Sequence, residues 1–289
     1  MHVSRARSVL CLELASLRPY TSATIRNDNN VYNFLIALGL SFLVAALSGL
    51  GLGGWVYGII PGLLAAVGGY FLLLRRSIRQ VEALSSKVGK VMTLAERQSR
   101  AQARNQRAAQ QVIHRAVDQA IAELRKGYVI GQWQWGIRSQ MDAQIGNLLY
   151  TSKRFKESKP YLQTGFARLW TTRAMLGACH FRDQNWAGMR TAFDEAIRYN
   201  RKKQGLLYAV YAWCLLHAKD GRKQTERRDD ALEVLTRGVD AMDGKDASLS
   251  RNLDAVRNGK KMTMNSYGQQ WYMFHLETPR MPKQHLKGR

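Results

Sequence analysis

Two apolar runs open the legible part of the chain. Phe34 to Leu50 is apolar apart from Ser41 and Ser48; after the break Gly51 to Gly54, Trp55 to Leu74 resumes without a charged residue. Each arm is about the 20 residues that cross a hydrocarbon core of roughly 30 Å. Pro61 is tolerated in a span when neighbours satisfy the freed carbonyl. Gly39, Gly49, Gly58, Gly62, Gly68 and Gly69 let two helices approach closely, and Trp55, Tyr57 and Tyr70 suit the water–lipid interfaces. Past Leu74 the spacing changes. Val81, Leu84, Val88, Val91 and Leu94 step by three or four, an amphipathic helix. The stripe fades from Glu96 to Gln111 and returns at Val112, Ala116, Ala120 and Leu124. This predicts one long helix from 75 to 126 with a wet middle, stopped by Gly127. Trp133 and Trp135 are expected to pack against the helices that follow.

From Asp142 to Val239 the chain repeats itself. Gly146 is followed at offsets of twelve, four and three by Ser158, Leu162 and Gly165; Gly177 is followed at the same offsets by Met189, Phe193 and Ala196. Ala212 leads to Ala231, Leu235 and Gly238, with seven extra residues before Ala231. A period in the low thirties with matched small residues marks stacked helical hairpins. A small residue at a helix crossing lets the backbones approach, and a large one fills the gap beside it. The spacing predicts helix pairs near Gly136–Ser152 and Lys156 onward, Thr171–Gln184 and Ala187–Asn200, and Gly205–Ala218 and Asp229–Met242. Gly221 to Arg228, polar and charged, is expected to protrude as a loop. Leu249, Leu253 and Val256 predict a short helix ending before Gly259, a cap for the open end of the stack. Met262 to Leu276 is expected to lie extended over the last hairpin. Pro279, Pro282 and the basic end read as disordered.

On those residues the segment resembles the tetratricopeptide repeat (TPR) family, over roughly 100 of the 289 residues. The family's aromatic before the Leu-Gly pair is replaced by Asp142 and Arg173 and kept as Tyr208; the proline after each second helix is absent. The resemblance implies a right-handed stack whose first helices line a concave groove for a protein or peptide. Carried over position by position, the groove holds Asn147, Tyr150 and Thr151, then Ala178, Phe181 and Arg182, then Trp213, Leu216 and His217. Asn147 matches an asparagine with which some members hold a C-terminal carboxylate. Ala178 and Trp213 stand at the equivalent places, so a full carboxylate clamp is not implied.

Charge adds an orientation. The net charge is +23, and residues 75–138 carry 13 Lys and Arg against 4 Asp and Glu. Arg75, Arg76 and Arg79 abut the second run, and the tip between the runs has none. The positive side stays inside. The expectation is an inner (plasma) membrane protein with two spans, both termini cytoplasmic. Arg75, Arg76, Arg79, Lys87 and Lys90 are expected to touch the membrane surface, where anionic lipid attracts basic residues. Residues 1–30 read as a disordered tail or, if Val31 is an alternative initiator, as a misplaced start.

The expected architecture is all-α. It has a transmembrane helical hairpin over 31–74, a basic helical stem over 75–127, and a TPR-like α-solenoid of about three helix pairs over 128–244. A capping helix and basic tail follow over 245–289. Three cysteines give no disulfide framework; Cys179 and Cys214, at matched repeat positions, read as buried thiols. Phosphate loops, dinucleotide fingerprints and zinc-ligand spacings are missing, and the six histidines are scattered, His180 and His217 falling on neighbouring first helices. No enzyme, cofactor or metal site is expected. The leading reading is a membrane-anchored interaction scaffold. Nucleic-acid or anionic-polymer binding through the basic stem and through Tyr267, Trp271 and Tyr272 is a second. An accessory subunit of a membrane enzyme or transporter is a third.

Overall fold

The computed structural model describes residues 32–51, 55–102, 105–134, 136–199 and 204–278. The N-terminal thirty residues, the glycine tip at 52–54, Trp135 and the basic end from Pro279 lie outside them, as do the side chains of Trp55 and Tyr57. Among the described residues the protein is helical, without a strand. In chain order the helices are α1 (Tyr32–Gly51), α2 (Trp55–Ala101), α3 (Gln106–Gly131), α4 (Ile137–Thr151), α5 (Phe155–Thr164) and α6 (Trp170–Arg182). They continue with α7 (Trp186–Tyr199), α8 (Gly205–His217), α9 (Gln224–Ala241), α10 (Ala247–Arg257) and the single turn α11 (Gln269–Tyr272).

Helices α1 and α2 are long and apolar enough to cross a membrane. They pack on each other, closest at Gly62, where an added Cβ would meet Ala45 Cβ at 2.8 Å and Ser41 O at 3.0 Å. Gly39 and Gly68 face open space instead. Pro61 sits within α2. The outward faces stay bare: Phe42 is 69% exposed and Ile60 68%. Exposed apolar surface of that extent marks a face that meets lipid or another protein.

The long stem is not one helix. α2 runs unbroken from the apolar segment to Ala101, 47 residues, or roughly 70 Å at 1.5 Å per residue. The chain has reversed by Asn105, just before α3 begins. Asn105 caps α3 by accepting from Ala108 N at 3.2 Å. The fading of the stripe from Glu96 to Gln111 is therefore the tip of a hairpin. Its two apolar halves close on each other: Val81 and Val88 of α2 share a core with Val117, Ala120, Ile121 and Leu124 of α3, and with Ile137, Met141, Ile145 and Leu149 of α4. Gly127 does not stop the helix, which runs on to Gly131. It lets α4 approach, since a Cβ there would meet Met141 Sδ at 2.6 Å.

Helices α4 to α9 form three consecutive antiparallel pairs and α10 follows singly, with α4, α6, α8 and α10 in contact along the stack. The matched small and large positions meet. A Cβ on Gly146 would lie 2.9 Å from Leu162 Cδ2, and one on Gly177 would lie 2.7 Å from the Phe193 ring. In the third pair a different crossing is close: a Cβ on Gly238 of α9 would lie 2.7 Å from Tyr208 of α8. Helix bounds agree with the expected pairs to within a residue or two, except at α9. There the expected protruding loop is mostly helix. The linker before α9 holds 6 residues against 3 in the earlier pairs, and α9 starts 7 residues before Ala231 where α5 and α7 start 3 before their counterparts. Ion pairs hold the segment down: Asp230 accepts from Arg190 at 2.6 Å and from Arg222 at 2.7 Å, and Arg222 also pairs with Asp220 at 2.7 Å. Arg228 donates to the carbonyls of Val256 and Arg257, at 2.9 and 2.5 Å, which ties α9 to the end of α10.

Candidate functional site

The inner face formed by α4, α6 and α8 carries Tyr150, Phe181 and Trp213, each in the C-terminal half of its helix, and Trp170 at the start of α6 lies 6.5 Å from the Phe274 ring. That face is occupied, and the occupant is the chain itself. After α10 the segment from Lys260 makes a short turn at Asn265–Tyr267, then α11, and runs back across the stack to Thr278. It is neither extended nor confined to the last hairpin. Trp271 and Phe274 are fully buried, and Met264 nearly so.

The contacts are specific. Tyr150 O–H donates to the carbonyl of Phe274 at 2.5 Å. Burial pushes the Tyr150 phenol far above its ordinary pKa, so it stays a neutral donor. Its ring meets Phe155 edge-on at 5.0 Å. Arg182 donates to the carbonyl of His275 and lies over the Phe155 ring, 4.1 Å from its centroid. His275 Nε2 lies 3.1 Å from the carbonyl of Thr151, to which its N–H donates. Trp213 Nε1 donates to one carboxylate oxygen of Glu277 at 3.2 Å, and Trp271 Nε1 donates to the other at 3.1 Å. The two indoles themselves meet at 5.3 Å.

The sequence-derived groove residues are thus brought together, but the surface is not open. Tyr150 is fully buried and Trp213 nearly so. Phe181 is half-buried between Trp186 and Trp213, both at 5.8 Å. Asn147 faces its neighbour helix, its Oδ1 accepting from Thr172 at 3.4 Å. Thr151 is exposed and offers its carbonyl to the tail. His217 stacks on Trp213 at 3.9 Å, and Leu216 lines the hollow that remains. That hollow, about 1140 Å³, lies between the tail and the ends of α8, α9 and α10. Leu216, Met262 and Leu276 give it an apolar flank; Arg228, Lys260 and Lys261 give it a basic one, and His217 and Glu277 also line it.

The tail's role was missed in the sequence because it joins residues 124 apart, as in Tyr150 and Phe274. The available signal was the continuous apolar run Trp271–Phe274, with Glu277 the lone acid after Asp254 in an otherwise basic end. Of the three tail aromatics Trp271 is fully buried, while Tyr267, whose hydroxyl is buried, and Tyr272 are half-buried. Cys179 and Cys214 are free and buried; desolvation raises the Cys179 thiol to about 11. Burial lowers the pKa of His180, whose ring packs beside Gly188. Among the described residues no three His, Cys, Asp or Glu side chains are grouped to hold a metal ion.

At the other end, Arg75, Arg76 and Arg79 flank a shallow hollow of about 510 Å³ with Leu72. Lys87 and Lys90 lie roughly 18 and 22 Å further along α2 than Arg75, at 1.5 Å per residue. Comparisons with protein families, with curated proteins and with solved structures found no match.

Proposed function

We propose that this protein is a membrane-anchored scaffold. α1 and α2 cross the inner (plasma) membrane as a hairpin with both termini in the cytoplasm. The TPR-like stack, about three helix pairs with a capping segment, binds a protein or peptide there. No catalytic role is proposed. The observation that carries this reading is the way the inner face holds a polypeptide. Tyr150 and Arg182 take hold of two successive main-chain carbonyls, Phe274 O and His275 O. Main-chain contacts of this kind suit a peptide, with neighbouring pockets selecting side chains. The matched crossings at Gly146 and Gly177 support the TPR likeness.

Because residues 260–278 cover much of that face, the partner's seat is the hollow beside the tail. Its flank of Leu216, Met262 and Leu276 and its basic rim of Lys260 and Lys261 fit a peptide that is apolar and acidic. The experiment is affinity capture of the intact chain from native membranes, compared with Leu216→Glu and with Lys260→Glu/Lys261→Glu. Both variants should keep the fold, since Leu216 is only half-buried and the lysines are exposed. Both should lose the wild-type partners. Recovery of an unchanged set of partners by both variants removes the hollow as the binding site.

A further inference from the structure

The fold-back of α3 has a consequence for where the stack sits. α3 has 26 residues, roughly 39 Å of helix, and Arg75 to Ala101 of α2 spans nearly the same length at 1.5 Å per residue. The hairpin therefore goes out and comes back. Several contacts fix its return. Gly127 stands opposite Leu84, whose Cδ1 would lie 3.5 Å from an added Cβ. Asn33 at the start of α1 donates through its side chain to Ser77 Oγ at 3.2 Å and to Gln134 Oε1 at 3.3 Å. Gln134 in turn donates to the Tyr70 hydroxyl at 2.8 Å. Asn33, Ser77 and Gln134 are buried in this node, and the backbone N–H of Asn33 donates to Trp133 O at 3.2 Å. Trp133 does not pack on the repeat helices as its position in the chain suggested. It lies against Tyr32, ring centroids 5.4 Å apart.

Counting down both strands of the hairpin places Trp133 level with Ile78, about 6 Å beyond Leu74. The headgroup layer occupies roughly 5–8 Å on each side of the hydrocarbon core. At that level Tyr32 is 41% exposed, Ile78 45% and Trp133 45%, and no protein covers them. Exposed aromatics at this depth match the aromatic belt of membrane proteins. Arg75, Arg76 and Arg79 lie within three residues of Ile78 along α2 and so at the same depth, with the charge that draws phosphate-bearing headgroups.

We infer that the turn between α3 and α4, with Trp133 at its tip, is seated in the headgroup layer beside Tyr32, Ile78 and the three arginines. The repeat stack then begins at the bilayer surface instead of standing a stem's length away. The occupant of this apolar patch is the lipid surface itself, because the patch is continuous with the bare faces of α1 and α2. The inference rests on reading those two helices as spans.

The test uses the full chain in nanodiscs of phosphatidylcholine and phosphatidylglycerol, with Cys11, Cys179 and Cys214 replaced by Ala. Spin labels are placed singly at Leu43→Cys, Gln132→Cys and Gln102→Cys. Leu43 is an exposed position within α1, and Gln132 and Gln102 are exposed positions at the two ends of the hairpin. Oxygen access is read at Leu43, and signal loss caused by nickel chelated on a lipid headgroup is read at the other two. The expected result is oxygen access at Leu43, strong signal loss at Gln132 and little at Gln102, which stands roughly 40 Å further out. A Leu43 label open to water-soluble reagents and closed to oxygen overturns the spans, and the inference with them. A normal Leu43 result with Gln132 as little affected as Gln102 overturns the docking while the spans stand.

Discussion

Gly177→Ala isolates the packing on which the stack depends. A Cβ at this position would lie 2.7 Å from Phe193 Cε2, 2.8 Å from Cδ2 and 3.0 Å from Cζ, with Phe193 fully buried. Relief requires α6 and α7 to part or the ring to leave its rotamer, and overpacking of this kind costs about 1–3 kcal/mol. Ala also stabilises a helix interior by roughly 1 kcal/mol over Gly. The net loss is therefore up to about 2 kcal/mol. Gly89→Ala supplies the reference. Gly89 lies within α2 with nothing within 4 Å of its missing Cβ, so that variant shows the helix gain alone. The difference between the two variants, about 1–3 kcal/mol, is the crossing itself. Urea melts followed by circular dichroism, with unchanged slopes, measure it as a shift in midpoint. Phe193→Leu removes Cε2 and Cζ, and in combination with Gly177→Ala it should recover roughly 1 kcal/mol or more as coupling. A Gly177→Ala protein as stable as Gly89→Ala would refute the close approach, and with it the small-to-large pairing read along the repeat.

Two further predictions concern the tail. Tyr150→Phe removes the donor to the buried carbonyl of Phe274 and should cost about 1–3 kcal/mol. Limited proteolysis should then cut near His275 faster than in the parent chain, and equal rates would mean that this bond does not hold the tail. Docking of the tail should also weaken in mild acid. Burial, opposed by the hydrogen bond to Thr151, leaves His275 with a pKa below its ordinary value. The unfolded or released tail thus binds its proton first, so the stabilising effect of the neutral ring is complete above the ordinary histidine pKa of about 6.5 and is lost as pH falls through the folded value. Proteolysis across this range should accelerate on acidification in the parent chain and much less in His275→Gln; a flat profile in the parent chain refutes the assignment.

Local periodicity settled much of this protein. The apolar runs of α1 and α2, the stripe through Val81 and Val88, and the offsets from Gly146 to Leu162 and from Gly177 to Phe193 are distances along one helix or across one tight hairpin. Such spacings are set by 3.6 residues per turn and by the size of a side chain at a crossing, so they are legible without coordinates. The reversal between α2 and α3 was half legible: Asn105 is a good N-cap, but the helix formers on both sides masked the break. What only the tertiary structure decided is long-range pairing. Whether the stripe at Val117 and Leu124 meets the stripe at Val81 and Val88 depends on the direction the chain takes between α2 and α3. Whether Trp271 and Phe274 face solvent, a partner or the inner aromatics depends on a path across the whole stack. An aromatic run states that it must be buried and leaves open against what. Here the nearest unfilled apolar surface belonged to the same chain, and Tyr150, Arg182 and Trp213 supplied the donors that its carbonyls and Glu277 required.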